Sequence, residues 1–393
     1  MEQKQRQSGE ANNLTRREFM RDGAVTAAGI AVGLGAVGCQ GPQTGQAGER
    51  DALIRKTRSY NPNMEYRRLG KTGLWISAVC LGGHWKRVDK MVPGVFRGSK
   101  AWLNADLNSE GFRKNRRDVV SRCIRHGINY IDACTWEEVY AYSEALKGRR
   151  DKMYLGFSWS QEEMRNKNFR TAKGLLKTLD KGMQLAKLDY VDLWRITMID
   201  HSSRHTESEV SETMQALEKA RQQGKARFTG FSSHDRPHIK WMIETYPDQV
   251  QVVVTPYTAK SKVLPKDSVF DAIKKHDVGV FGIKPFASNS LFKGDSSPGN
   301  PHQEEDDRLA RMAIRYILCN PAITAPIPGI INTHQVDNMA RAVKERRQLD
   351  LAEAKELEGH GRGVGKAAGT LPVAQELGIR LTGRMRTIHK REG

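Results

Sequence analysis

The chain is poor in cysteine: five residues, at positions 39, 80, 123, 134 and 319, with no CxxC and no paired spacing. That excludes a disulfide scaffold and a cysteine-held metal cluster, and Cys80 and Cys123, inside apolar runs, read as core residues. No HxH, HExxH or clustered carboxylate–histidine spacing occurs, so no metal is expected and a metal hydrolase ranks last. No GxGxxG follows the first strand-like run, which argues against an open dinucleotide-binding sheet. Acidic groups are also scarce, 45 Asp and Glu against 64 Lys and Arg, a formal charge of +19. Such an excess raises nucleic acid, membrane or an acidic substrate as partner. The basic residues, however, are spread along the chain, and the densest clusters, FRKNRR and GRMRTIHKR, read as loop-like or terminal. No helix-turn-helix, zinc-finger or aromatic RNA-binding pattern accompanies them, so no nucleic acid is expected.

The N-terminal stretch NLTRREFMRDGAVTAAGIAVGLGAVGCQG places Arg16, Arg17 and Phe19 ahead of a mild Ala/Gly/Val run over 24–37. That run is too short and too weakly apolar for a durable membrane span. Residues 1–39 resemble a twin-arginine signal peptide, an address read by the export machinery. It implies a protein delivered folded to the periplasm or the outer face of the cytoplasmic membrane. AVGC at 36–39 resembles a lipobox, with Ala36 where Leu is usual, and so makes Cys39 a candidate lipid anchor. Residues 40–63, rich in Gly, Gln, Pro and charge, read as a linker.

From residue 64 onward apolar, β-rich runs alternate with amphipathic segments. WISAVCLGG, INYIDA, MYLGFSW, YVDLWRIT, ARFTGFSS, QVVVTPY, VGVFGIKPF and ITAPIPG are the strand candidates. Eight rounds within one domain length predict an α/β fold, a (β/α)8 TIM barrel over 64–350, followed by a tail over 351–393. In such a barrel the C-terminal ends of the strands form the working face. The second run ends on a carboxylate, Asp132, and burying an unpaired carboxylate is costly, so that strand end reads as a site. The mouth should also hold the GGHW loop, Ser158, Thr197, Ser232, Ser233, His234, Tyr257, Lys284 and Pro285. The long 86–117 segment reads as a lid over it.

Seven motifs in order carry a resemblance. MEYRRLGKTGLWISAVCLGG resembles the opening of the aldo-keto reductase family, in which a short hairpin plugs the barrel bottom. GINYIDA, LKGRRDKMYLGFS, LDYVDLW, GKARFTGFSS, GVFGIKPF and IPGIINTHQVDN follow at the family's spacing, together covering about residues 64 to 345. The resemblance implies a barrel that binds NADP or NAD and moves a hydride to or from a small carbonyl or hydroxyl substrate. It implies catalysis by an Asp, a Tyr, a Lys and a His. Only the Asp survives, as Asp132; Glu137, Ser158 and Thr197 stand at the Tyr, Lys and His positions.

Strand alternation puts Arg195 on the same face as Thr197 and one layer deeper, where a guanidinium needs an anion. Arg195 is therefore expected to partner Asp132 in place of the Lys; pairing with another acid, or a side chain reaching to the rim, is the alternative. Tyr140, Glu137, His84 and His234 are the candidate proton donors. For the cofactor, the resemblance points to Ser232 and Ser233 at the nicotinamide and to Lys284 and Pro285 along the pyrophosphate. It places Gln335 and Asn338 on the adenine side. Val254 replaces a Gln, and Ile331 replaces the residue that would grip a 2′-phosphate. Trp85, Trp136, Tyr140 and Trp159 suggest an aromatic mouth suited to a sugar ring. The alternative is a barrel that has lost catalysis and serves as a periplasmic binding or scaffold protein.

Overall fold

Side chains that alternate between two apolar layers set the architecture. In the computed structural model, which describes residues 44–97, 104–258, 268–345 and 347–360, the strands are short and their inner and outer faces are sorted cleanly. Strands β1 (Tyr66–Arg68) and β2 (Trp75–Ser77) form an antiparallel hairpin. Strands β3 (Leu81–Gly82), β4 (Tyr130–Ala133), β5 (Tyr154–Phe157), β6 (Val191–Thr197), β7 (Ala226–Ser232), β8 (Val252–Pro256), β9 (Gly279–Ile283) and β10 (Ala325–Ile327) run parallel in sequence order. The ring closes where Cys80 N–H donates to Pro326 O at 3.0 Å and Gly82 N–H to Pro328 O at 2.8 Å. The expected (β/α)8 barrel is therefore the fold.

Helices α1 (Thr44–Arg55), α2 (Glu110–His126), α3 (Trp136–Ala145), α4 (Ala172–Ala186), α5 (Glu207–Gln222), α6 (Arg236–Thr245), α7 (Val269–Lys275), α8 (Gln303–Cys319), α9 (Thr333–Lys344) and α10 (Leu351–Gly359) accompany the strands. Side-chain oxygens start several of them: Ser109, Thr135, Thr171 and Asn332 each accept a backbone N–H of the first turn. Ile131 and Ala133, Trp194 and Ile196, Val253 and Val280 face outward onto these helices. Tyr130, Leu193, Val252, Val254, Phe281 and Ala325 face inward and fill the barrel together with Leu69, Leu74 and Ile76 of the β1–β2 hairpin, which closes the bottom. Above this apolar plug the inward positions turn polar, and that change of layer makes the site.

Two sequence expectations are corrected, and the start of the tail is a helix packed on the barrel. The 40–63 linker is structured from Thr44, and its end is fixed to the barrel floor. Thr57 Oγ1 donates to Trp75 O at 2.6 Å, and Arg58 reaches the fully buried Asp192 at 3.0 Å. The FRKNRR cluster is not a loop but part of α2, which begins at Glu110, inside the segment expected as a lid. Arg116 is buried there, lies over the Trp85 ring and donates to Ile330 O at 2.8 Å. The tail begins as α10, with Ala354 and Leu357 buried and Glu353 accepting from Arg315 at 2.9 Å. The export signal, Cys39 and most of the Gly-rich tail lie outside the described residues. No helix among the described residues is long and apolar enough to cross a membrane.

Asp192 anchors the floor. Arg150 and Arg227, at 2.7 and 3.0 Å, join Arg58 around it, and Leu155 N–H donates to it at 2.9 Å. Burial would raise its pKa, but the three guanidiniums hold it well below the usual carboxylate range. Arg58→Ala is expected to cost about 1.5–3 kcal/mol, the usual worth of a hydrogen bond to a charged group, in urea unfolding at neutral pH. Because the folded pKa is depressed, the contribution of Asp192 is complete above its unfolded value near ~4 and falls away below it. An unchanged urea midpoint would show that the segment is not docked.

Candidate active site

Asp132 closes β4 on the inner face, one layer above Tyr130, and is 4% exposed. Arg195 reaches it from β6, two strands away. Its Nε donates to Asp132 Oδ1 at 2.8 Å and its Nη2 to Oδ2, a two-point contact between buried groups. Tyr130 OH donates to Oδ1 at 3.3 Å, and its ring stacks on Phe281. A Cβ at position 156 would lie 1.9 Å from that hydroxyl, so glycine on β5 makes the room. Arg195 Nη1 donates to Ser158 Oγ at 3.0 Å and Thr197 Oγ1 at 3.2 Å, with Ser232 Oγ at 3.5 Å. The residues at the family's Lys and His positions are thus a hydroxyl shell around a buried guanidinium. Burial would lower the Arg195 pKa, but Asp132 overrides it and raises it, so the cation is permanent.

Above this floor a cavity of about 1000 Å³ runs from Asp132 and Arg195 across the mouth to α9. His84, Thr197, Ser232, His234, Lys284, Pro285, Gln335 and Asn338 line it. Ser158 lies beneath Arg195 and Ser233 is buried with its Oγ 2.7 Å from Ser202 Oγ, so neither reaches the cavity. Gln335 and Asn338 already have partners: Gln335 Oε1 accepts from Ile331 N–H, and Asn338 donates to Asp307 O and accepts from Arg311.

Glu137 and Tyr140 do not line the cavity. Helix α3 starts at Trp136, which turns both away from the mouth, and Tyr140 sits beside the Trp136 ring. Burial raises the Glu137 pKa, but the group has no access to a substrate there. The expected rings do not form the mouth either; Phe286 and Phe292 are the aromatic side chains that line it. Trp85 is wholly buried against Phe112 and Tyr142, Trp159 is buried, and neither Trp136 nor Tyr140 contributes to the cavity wall.

Charged loop residues replace those rings. Lys86, Arg165, Lys284, His234 and Asp200 gather at one side of the cavity. Arg165 donates to Asp200 at 2.8 Å, and His234 lies 3.5 Å from it. Burial, then Lys284, pulls the His234 pKa down to about 4, leaving the ring neutral at pH 7. Burial, with Arg165 and Lys86 adding to it against Asp200, also lowers the Lys284 pKa. Residues 86–97 form a wall: Arg87 donates to Gly294 O at 2.7 Å and Lys90 pairs with Asp295 at 2.9 Å, tying them to the loop after β9.

Sequence reasoning missed Glu138 and Glu163. Thr135-x-x-Glu138 is a helix-start spacing that points the fourth residue back toward the mouth, a legible signal for Glu138 over Glu137. Glu163 accepts from Thr197 N–H at 2.6 Å and from the Trp194 indole at 3.2 Å, steadying the end of β6. Burial pushes its carboxyl up to about 7. Nothing in the surrounding loop sequence marks it.

A model of the Aldo/keto reductase family matches residues 105–362. L-galactose dehydrogenase of Arabidopsis thaliana is 25% identical over 324 residues, 73% of this chain and 91% of that protein. L-glyceraldehyde 3-phosphate reductase of Escherichia coli strain K12 is 22% identical over 343 residues, covering 73% and 92%. Among solved structures, the holo form of aldo-keto reductase AKR11C1 from Bacillus halodurans aligns with a TM-score of 0.55 at 20% identity, over 77% of this chain and 98% of that one. An aldo/keto reductase from Klebsiella pneumoniae in complex with NADP and acetate aligns with a TM-score of 0.55 at 17% identity, covering 75% and 95%.

Arg195→Met strands Asp132 without its partner and is expected to cost about 3–5 kcal/mol in denaturant unfolding. Adding Asp132→Asn to the same chain should recover part of that loss. A single variant as stable as the parent would mean the pair is not buried.

Proposed function

The chain belongs to the aldo/keto reductase family, and from that premise we propose that it is a nicotinamide-dependent oxidoreductase acting on a polar, sugar-like carbonyl or hydroxyl compound. The observation that carries this reading is the elongated cavity at the barrel mouth, floored by the Asp132–Arg195 pair and flanked by Lys86, Arg165 and Lys284. The names of the relatives that act on L-galactose and L-glyceraldehyde 3-phosphate support the substrate class.

The residues present fit a dinucleotide. Lys86, Arg165 and Lys284 outnumber Asp200, which suits a pyrophosphate. Ser232 Oγ remains at the floor for a carboxamide. At the far end Asp306 and Asp307 line the cavity beside Ile331. A carboxylate suits a ribose 2′-hydroxyl and repels a 2′-phosphate, so the reading favours NAD over NADP. When bound, the dinucleotide supplies the hydride donor or acceptor.

The chain's own groups do the rest. Arg195, fixed by Asp132, places a permanent positive charge under the floor, where it favours negative charge building on a substrate oxygen. His84 stands at the rim as the proton donor to that oxygen. Burial would lower its pKa, but Cys134 and Glu138 override it and raise it. His234, kept neutral, is the weaker candidate. The reading also takes the chain to be exported folded by the twin-arginine machinery to the periplasm, supported by Arg16 and Arg17 ahead of a mild apolar run. A cofactor loaded before export is then the form that works.

Titration of the purified chain with NADH and NADPH, followed by nicotinamide fluorescence, tests the reading. Saturable binding of both is expected, with NADH tighter, and Asp132→Asn should lower turnover with a hydroxyaldehyde. Binding of neither nucleotide would favour the catalytically silent, scaffold-type barrel.

A further inference from the structure

Cys134 and Glu138 have no direct part in that reading, yet they meet His84 at the rim of the same cavity. His84 lies in the loop after β3, Cys134 directly follows β4, and Glu138 sits in the first turn of α3. The buried Glu138 carboxylate accepts the backbone N–H of His84 at 2.6 Å and that of Cys134 at 2.7 Å, so one anion clamps both residues side by side. It also contacts His84 Nδ1 at 2.8 Å. A Cβ at position 83 would lie 2.1 Å from this carboxylate, so the chain can pass only as glycine. His84 itself adopts φ 53°, a left-handed conformation that a non-glycine residue holds at some cost. The Cys134 sulfur is 3.5 Å from each ring nitrogen of His84, which puts it over the ring face.

Thiol, imidazole and carboxylate meet here, the carboxylate holding the imidazole and the face of the imidazole lying against the sulfur. The face-on contact suits an ion pair, whose attraction does not depend on alignment in the ring plane. An imidazole nitrogen binds a metal in the ring plane, which the sulfur lies out of, and the 2.8 Å between His84 Nδ1 and Glu138 is a hydrogen-bond distance. Helix α3 begins two residues after Cys134, so its positive end adds to the field at the sulfur. Burial would raise the Glu138 pKa, but His84 and the backbone donors override it and lower it. Cys80 and Cys123, by contrast, are wholly buried with their thiols pushed up by that burial. Cys134 and His84 both face the cavity.

We infer that Cys134 is a nucleophilic thiolate, sustained by His84 and positioned by Glu138, that adds reversibly to the carbonyl carbon of an aldehyde held in the cavity. The sulfur lone pair forms the C–S bond, the carbonyl π pair moves onto oxygen, and that oxygen takes the imidazolium proton of His84. The products are a neutral thiohemiacetal and a neutral imidazole, and no oxidant or reductant is consumed. The choice of an aldehyde rests on the function proposed above; the activation of the thiol does not.

The test is the rate of iodoacetamide labelling of Cys134 in the full chain against pH, assigned by peptide mapping. At about pH 6, labelling in the parent should be about tenfold or more faster than in His84→Gln, because an ordinary thiol near ~8.5 is almost wholly protonated there. Excess glyceraldehyde, but not glycerol, should slow it. Should His84→Gln fail to fold, the parent profile decides: a plateau below neutrality supports the thiolate, and a rise through ~8.5 overturns it. Equal rates in the two chains, or stoichiometric zinc that must be stripped before labelling, would also overturn the inference. Protection by neither compound would remove the aldehyde adduct. A reactive Cys134 in a chain that binds no nicotinamide nucleotide would keep the thiolate and sink the oxidoreductase reading instead.

Discussion

Everything at the mouth of this barrel depends on one buried ion pair. Asp132 and Arg195 are both almost inaccessible, and two charges out of water are tolerable only when they meet closely and their remaining donors and acceptors are satisfied. That requirement explains the neighbourhood. Tyr130 OH completes the carboxylate, Ser158, Thr197 and Ser232 surround the free edge of the guanidinium, and Gly156 leaves the space. The inner face of the barrel therefore changes from apolar to polar in a single layer. The lysine of the family's pattern is absent, and the cation comes from the inner face of β6 instead of the end of β5.

Along the cavity the charge changes sign. Lys86, Arg165 and Lys284 gather beside the mouth, while Asp306 and Asp307 lie at the α9 end. A ligand with a central anionic group and a hydroxyl-rich end matches that order. His84 stands at the rim, where the backbone of the β3 loop and the start of α3 are drawn together by Glu138. On the proposed reading the proton donor is His84, one strand away from the family's tyrosine position, with the Cys134 thiol beside it.

Much of this was legible beforehand because strands have a strict period. Alternation along YVDLWRIT was enough to place Arg195 inside and to nominate Asp132 as its partner, and eight rounds of strand and helix were enough for a closed ring. The failures have equally physical causes. Glu137 stands at the family's tyrosine position in sequence, but the phase of α3 turns Glu138, not Glu137, toward His84 and Cys134. Trp85 and Trp159 looked like a stacking surface in sequence, yet large rings beside a barrel rim gain more from burial under the helices. Polar composition suggested a linker before residue 64, and only the three-dimensional meeting of Arg58 with Asp192 fixes it. Arg165 and Glu163, from the loop after β5, meet Asp200 and the Thr197 N–H at the end of β6, a convergence that no spacing in the chain encodes.

On the proposed reading the guanidinium of Arg195, not a tyrosine–lysine pair, carries the electrostatics of hydride transfer at this site. The most direct test is single-turnover oxidation of bound NADH by a hydroxyaldehyde in Arg195→Lys and Arg195→Met, each checked for folding. Loss of a preorganised charge predicts a rate about 10²–10³ lower in the Met variant, with NADH affinity nearly unchanged and partial rescue by Lys. Undiminished turnover in Arg195→Met would contradict the claim.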